Sequence, residues 1–415
     1  MGGKLRNLLF ALAFVVVSFG PIGLFCCKCL DIELPSWLTA EDALYLTGEN
    51  SNSNLMQFAN IDGFVSGNLQ SSFEKEVEGL VPTRAFALLG TSALQRTFVD
   101  LSNFFFEWEC EPSFYGSEFV FNEPEQRLYQ MPARATEYML GKARRSAIAL
   151  NSLADGYPDK GVYVYLAANS QYFSCTPLMQ LMSNELTYDK IEETFIDNDQ
   201  SFIWISGDVT QEEFLRDWFA SDHHWKATGA YGAYRRIADA MGFTPLSPKT
   251  IVKYETPRFY GSLARRALLD NVSDEMDDCI FDSDSLLKVR VGEEEGGAEL
   301  LVRRDLFVEQ DALGENKFTN RYGELYHGDA KPIVIENEGK SDADDLLVIA
   351  DSYSNCFEHM IASHFGTTYV LDPRHADCEI DEFLDAHPDI GSILVLAVFS
   401  DLTSDEFVDF LGNNS

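Results

Sequence analysis

Short apolar runs near the C-terminus set the pattern of the chain. "DLLVIA" (Asp345–Ala350), "TTYVLD" (Thr367–Asp372) and "SILVLAVF" (Ser392–Phe399) are rich in aliphatic residues. They are long enough for strands and too short for ordinary helices. Helix-like stretches at Asn355–Phe365 and Ile380–His387 separate them. Buried strands alternating with helices predict a mostly parallel sheet covered by helices. The same alternation occurs earlier. Ala133–Asp155 reads as a helix, "GVYVYLAA" (Gly161–Ala168) as a buried strand and "SFIWIS" as a short one. "TQEEFLRDWFA" reads as a helix in which Thr210 and Glu213 form a capping box. The next helix is expected to start at an N-cap Thr228 and stop at Gly242. Between about 251 and 338 the pattern changes. "LLKVRV", "GEEEGG" and "AELLVRR" predict a β-hairpin with a charged tip, inside a β-rich insertion.

The N-terminal pattern is different. Leu8–Cys27, "LLFALAFVVVSFGPIGLFCC", carries no charge. As a helix it would span about 30 Å, the thickness of a bilayer's hydrocarbon core. Lys4 and Arg6 precede it, so the positive-inside tendency leaves the rest of the chain outside the cytoplasm. The expected organisation is an N-terminal membrane anchor at 1–30, a linker at 31–62 and one α/β domain at 63–415. That makes a single-pass cell-membrane protein with its domain extracytoplasmic and residues 8–27 in the lipid bilayer. A cleaved signal peptide is the rival reading. Within the domain, Phe73, Val77 and Leu80 recur at helical spacing before a break at Pro82.

Charge narrows the partners. The formal net charge is -36, from 67 acids against 31 bases. Such a surface repels nucleic acid, and an anionic polymer would need a locally neutral or basic cleft. Hydrophobic residues make up 46%, enough for a sizeable core. Of eight cysteines, Cys110, Cys175, Cys279, Cys356 and Cys378 follow the anchor region. An odd number leaves at least one outside any intrachain disulfide.

Two motifs carry chemistry. In "LLVIADSYSN" a strand ends at Ala350 and Asp351-Ser352 follows. Ligands of open α/β sheets sit at the carboxyl ends of strands, so Ser352 reads as a nucleophile or as a helix cap. In "SDHHW", Asp222 and His224 are two positions apart and share a face if the segment is extended. A carboxylate beside an imidazole fixes its tautomer and stabilises the imidazolium. Trp225 would form a wall of the site, and His223 would be structural. A packed histidine is the plain alternative. Asp, His and His also suit Zn²⁺ or Mn²⁺, but the further ligands that a DHH-type metallophosphoesterase needs do not assemble here. No metal and no dissolved cofactor are expected.

"SDHHWKATGAYGAY" and "LLVIADSYSNCFEHMIASHFGTTYVLDPRH" resemble the bacterial DHHW family. That family is similar to the SGNH-hydrolase-like O-acetyltransferases of exopolysaccharides such as alginate. Weaker resemblance extends to "SFEKEVEGLVPTR", "PSFYGSEFVF", "RFYGSLARR" and "NRYGELYHG". The resemblance implies an SGNH-like α/β/α sandwich and a triad of Ser352, His224 and Asp222, in the order Asp, His, Ser. It implies an O-acetyltransferase or acetylesterase acting on a cell-surface polysaccharide, with a membrane-bound O-acyltransferase as partner. Ala350 stands where the family has Gly, and no Gly-x-Asn-Asp block supplies an oxyanion-hole asparagine. "YHGD" is expected in its place, with Gly328 giving a backbone N–H and Asn355 and Arg374 touching substrate. The second reading is a non-catalytic glycan-binding or assembly protein with a vestigial triad.

Overall fold

The computed structural model describes residues 113–115, 119–172, 184–196, 200–269, 271–312, 319–328, 332–376 and 378–412, and scattered residues between 27 and 105. The chain divides into two units. One is Met1–Glu109 with Ala264–Asp270, and the other is Cys110–Leu263 with Asn271–Ser415. In the first unit the described residues between 90 and 105 are helical. Residues 8–26 lie outside the described residues, as does nearly all of the linker at 31–62. Among the described residues no helix is long and apolar enough to cross a membrane.

The second unit is a mixed α/β structure. Its strands are β1 (Ser113–Tyr115), β2 (Phe119–Asn122), β3 (Arg127–Gln130), β4 (Gly161–Leu166), β5 (Ile203–Ile205), β6 (Thr250–Phe259), β7 (Asp274–Ile280), β8 (Leu287–Val291), β9 (Glu294–Gly296), β10 (Ile333–Asn337), β11 (Asp345–Ala350), β12 (Thr367–Leu371) and β13 (Ile390–Ala397). Eight form one sheet, in the order β5-β4-β13-β11-β12-β10-β8-β9. The first five of that order pair in parallel. The last three join antiparallel. The parallel centre is buried because its strands are continuous apolar runs: Leu346 to Ile349 and Ile393 to Leu396 are fully inaccessible.

Helices α1 (Glu137–Gly156), α2 (Tyr188–Phe195), α3 (Gln211–Asp217), α4 (Ala227–Ala240), α5 (Arg321–Leu325), α6 (Glu358–Ala362) and α7 (Ile380–Ala386) connect or flank the strands. The β4 connection runs outward to β5, and the β11 connection runs outward to β12 on the other side of β13. The connections thus diverge at the carboxyl ends of the central strands, where a crevice opens.

Several expectations shift. α1 begins at Glu137, capped by Thr136, because Arg134 is drawn into a bridge with Glu185. The capping box of Thr210 and Glu213 is present on α3. α4 begins at Ala227 with no side-chain cap from its own N-cap residue. Asp277 of β7 does that work instead, accepting from Ala227 N at 2.9 Å and from the Thr228 hydroxyl at 3.1 Å. Gly242 ends α4 with φ +83°, which glycine adopts without strain. In the insertion, β8 pairs with Glu294–Gly296, and the expected second strand at Ala298 is a 3-10 turn. β8 also pairs with β10 and so extends the main sheet. Of the helix expected from Asn355 to Phe365, Glu358–Ala362 forms as the short α6, and a 3-10 turn at Ser352–Ser354 precedes it.

Candidate active site

Ser352 stands directly after β11, at the crevice. Asp351 holds it there. Its carboxylate accepts from Tyr353 N at 2.9 Å and from Val398 N, just past β13, at 2.8 Å. Two neighbouring strand ends are thereby tied to one turn. Burial pushes the Asp351 carboxyl well above its usual range, with Asp401 adding to the rise against these hydrogen bonds and Arg374.

Asp222 and His224 lie on a loop between α3 and α4, closed by a bridge from Trp218 to Trp225. The segment bends and is not extended as expected. The carboxylate and ring meet because Asp222 folds back on its own loop, accepting from His224 N at 3.0 Å. Distant residues fix that loop. The buried Arg127 guanidinium donates to the carbonyls of Phe219, Leu215 and Trp218 at 2.7 to 2.9 Å. Asp274 accepts from Ala220 N and Ser221 N, each at 2.8 Å, and from the Ser221 hydroxyl at 2.6 Å. Buried donors left without such partners cost about 1–3 kcal/mol each.

The result is a continuous relay. Asp222 Oδ1 lies 2.6 Å from His224 Nδ1, and His224 Nε2 lies 2.9 Å from Ser352 Oγ across 128 positions of sequence. The network assigns the proton to Nδ1, donating to Asp222, and leaves Nε2 to accept from the serine hydroxyl. Asp222 Oδ2 accepts from Ser262 N at 2.5 Å. Burial alone would raise the Asp222 carboxyl. The neighbouring His223 and His224 and these hydrogen bonds outweigh it and hold the group well below the carboxylate range. It therefore stays charged and contributes stability until pH falls through that low value.

Aromatic rings brace the imidazole. Tyr322 stacks on His224 with centroids 4.0 Å apart and planes 7° from parallel, and its hydroxyl donates to the Ser352 carbonyl at 3.1 Å. Tyr353 donates from its hydroxyl to the His223 carbonyl. Asp222 and His224 are buried, while Ser352 is partly exposed. The Ser352 hydroxyl is thus reachable and its supports are not. Among the described residues, no hydrogen bond engages the Ser352 backbone N–H, so it can donate to a developing oxyanion.

The other expected site residues are placed as follows. Gly328 is exposed and follows His327, whose φ of +56° is left-handed. Asn355 is buried, with Nδ2 donating to the His327 carbonyl at 3.4 Å. Arg374 pairs with Asp372 at 2.5 Å, near Asp351. Trp225 forms no wall of the site: it is fully buried, donating to the Tyr353 carbonyl at 3.0 Å. Asp329, the last residue of "YHGD", lies outside the described residues. His223 bonds Ser262 Oγ through Nδ1 at 2.6 Å. Asp222, His223 and His224 are also a group whose ligand atoms, all within 4.8 Å, could converge on a metal ion. The 2.6 Å contact between Asp222 and His224 is bridged by a proton that a metal would have to displace.

Sequence reasoning missed the supports. Gly261, Ser262 and Tyr322 sit in segments quoted for their resemblance, which gave them no role. Arg127 and Asp274 had no local signal at all. A second buried chain was also missed: Ser354 Oγ donates to Glu358 Oε1 at 2.9 Å, and His327 Nε2 lies 3.0 Å from Glu358 Oε2. Burial would lower the His327 pKa, but the Glu358 charge and hydrogen bond prevail and raise it. A raised value means stability present below the unfolded pKa of about 6.5 and lost as pH rises through the folded one. Thermal melts across that window should show this loss in the native protein. Glu358→Gln should flatten or reverse the slope, and an unchanged slope would contradict the pairing.

The comparisons agree with this architecture. The family model described as DHHW protein matches residues 197–371. A solved DHHW family protein from Eubacterium siraeum superposes with TM-score 0.56 at 17% identity, covering 74% of this chain and 97% of its own. Bacillus cereus PatB1 superposes with TM-score 0.54 at 20% identity, covering 68% and 96%. PatB1 with a sulfonyl adduct gives 0.52 at 19% identity, covering 68% and 97%. No curated protein matched the sequence. The match to the DHHW family model spans the stretch that holds Asp222, His224 and Ser352, and the chain is similar to that family there.

Proposed function

We propose that the chain is a serine-dependent O-acetyltransferase or acetylesterase of a cell-surface polysaccharide. The supporting observation is the unbroken Asp222–His224–Ser352 relay, with contacts of 2.6 and 2.9 Å, at a crevice-facing strand end. In this reading His224 Nε2 takes the Ser352 proton as Oγ attacks an acyl carbonyl. Asp222 stabilises the imidazolium, and the Ser352 N–H faces the developing oxyanion. The same imidazolium returns the proton to the leaving oxygen, giving an acyl-serine. A sugar hydroxyl, or water, then attacks with His224 again as base, and the serine is released. PatB1, which is similar in fold, has a structure with a sulfonyl adduct, which supports this reading. An extracytoplasmic position, bilayer anchoring through residues 8–27 and an acetyl supply from a membrane-bound O-acyltransferase belong to the same proposal. Turnover of an activated acetyl ester by the full chain, against Ser352→Ala, tests it.

One observation favours a second reading, a non-catalytic glycan-binding or assembly protein. The Asn355 amide is directed at the His327 carbonyl, so this side chain is not presented as an oxyanion donor. Unchanged esterase background in Ser352→Ala would support that alternative.

A further inference from the structure

A second cleft opens away from the serine. It has a volume of about 690 Å³ and is bounded by α3, α4 and the β6–β7 hairpin, with none of the three relay residues in its lining. Its size falls in the range of small-ligand sites. Its charge is unlike the rest of the chain. Arg216, Lys226, Arg235, Arg236 and Lys253 all line it, in a protein with 67 acids against 31 bases.

Four acids line the cleft beside these five bases, and each is held by a neighbour. Glu213 closes the capping box of α3. Asp217 accepts from Arg216 at 3.0 and 2.6 Å. Glu275 is held by Arg258 at 3.3 Å. Asp277 caps α4. Arg236 donates to the Asp208 carbonyl at 2.6 Å and pairs with Glu213 at 3.9 Å, and Lys226 donates to the Arg216 carbonyl at 3.3 Å. The side chains of Arg235 and Lys253, both exposed residues, have no hydrogen bond or ion pair with the described residues. The half-buried ring of Tyr231 adds a flat apolar surface beside them. Positive charge without a partner, concentrated in a concave site of a strongly acidic protein, draws an anion by focusing the field.

We propose that this cleft is a second binding site, for an organic anion bearing two or more carboxylate or phosphate groups. It does not depend on Ser352 being a nucleophile. The site lies at the root of the relay loop, since Asp217, Trp218 and Lys226 line it while Lys226 N donates to the Asp217 carbonyl at 2.8 Å.

Calorimetric titration of the full chain at low salt tests the proposal. The probes are inorganic tripolyphosphate, trigalacturonate and the neutral maltotriose. At least one anion should bind and maltotriose should not. Tripolyphosphate alone identifies phosphate as the recognised group, trigalacturonate alone identifies carboxylate, and both together identify shared charge. Arg235→Glu with Lys253→Glu should weaken binding by about tenfold or more. The milder Arg235→Gln with Lys253→Gln serves if charge reversal unfolds the protein. Ser352→Ala should bind as the native chain does. Binding of neither anion, equal binding of maltotriose, or affinity unchanged in the double variants would overturn it.

Discussion

Ser352→Ala abolishes acetyl-ester turnover above background, and His224→Ala lowers it by about 10²–10⁴, the contribution of a positioned general base. Each loss follows from one distance. Without Oγ there is no acyl acceptor 2.9 Å from Nε2. Without the imidazole the serine hydroxyl has no group to take its proton. Asp222→Asn removes the charge that faces Nδ1 at 2.6 Å and permits the wrong tautomer, which costs about 10⁴ in the serine-protease template. The double variant Ser352→Ala with His224→Ala should be no worse than Ser352→Ala alone, because groups acting as a unit are not additive. Kinetics on a soluble acetyl ester, with melting temperature as the control for folding, measure all of these.

Gly261→Ala removes activity and stability together, through a residue that performs no chemistry. A Cβ at Gly261 would lie 2.2 Å from Asp222 Cβ, 2.6 Å from Oδ2 and 2.7 Å from Cα. No side chain can yield there without moving the carboxylate. Overpacking of this kind costs about 3 kcal/mol at the upper end of its range. A displacement of Asp222 by about 1 Å would lower turnover by roughly 100-fold. Gly232→Ala is the matched control. Gly232 is in α4 with nothing within 4 Å of an added Cβ, so alanine should raise stability by about 0.5–1 kcal/mol and leave turnover unchanged. Equal effects of the two substitutions would rule out close packing against Asp222 as the cause.

What the sequence made legible is what local pattern encodes. The runs at Asp345, Thr367 and Ser392 announced the buried strands because parallel strands bury both faces and must be apolar throughout. Asp351-Ser352 was legible as a strand end, and Asp222 with His224 as a pair, because spacing alone put them in reach. Their conformation was not. The loop bends, since Arg127 and Asp274, far off in sequence, gather its backbone groups. The N-cap of α4 was misplaced for the same reason: Asp277 reaches in from β7. Trp225 was expected at the surface of the site because an aromatic beside two histidines fits that role, whereas its indole is needed to seal the core against Tyr353. The β8 hairpin was read too long because "AELLVRR" is apolar enough for a strand, yet the chain turns at Gly292, with φ +60°, and Glu294–Gly296 already supplies the pairing strand.

The relay makes a covalent claim, and that claim can be weighed directly. The full chain is incubated with an activated acetyl donor, quenched, digested and mapped by mass spectrometry. An acetyl group on the peptide containing Ser352, localised to that serine and absent in His224→Ala, is the result expected from the 2.9 Å contact. Acetylation spread over other residues, or equal labelling of Ser352 without His224, would contradict it.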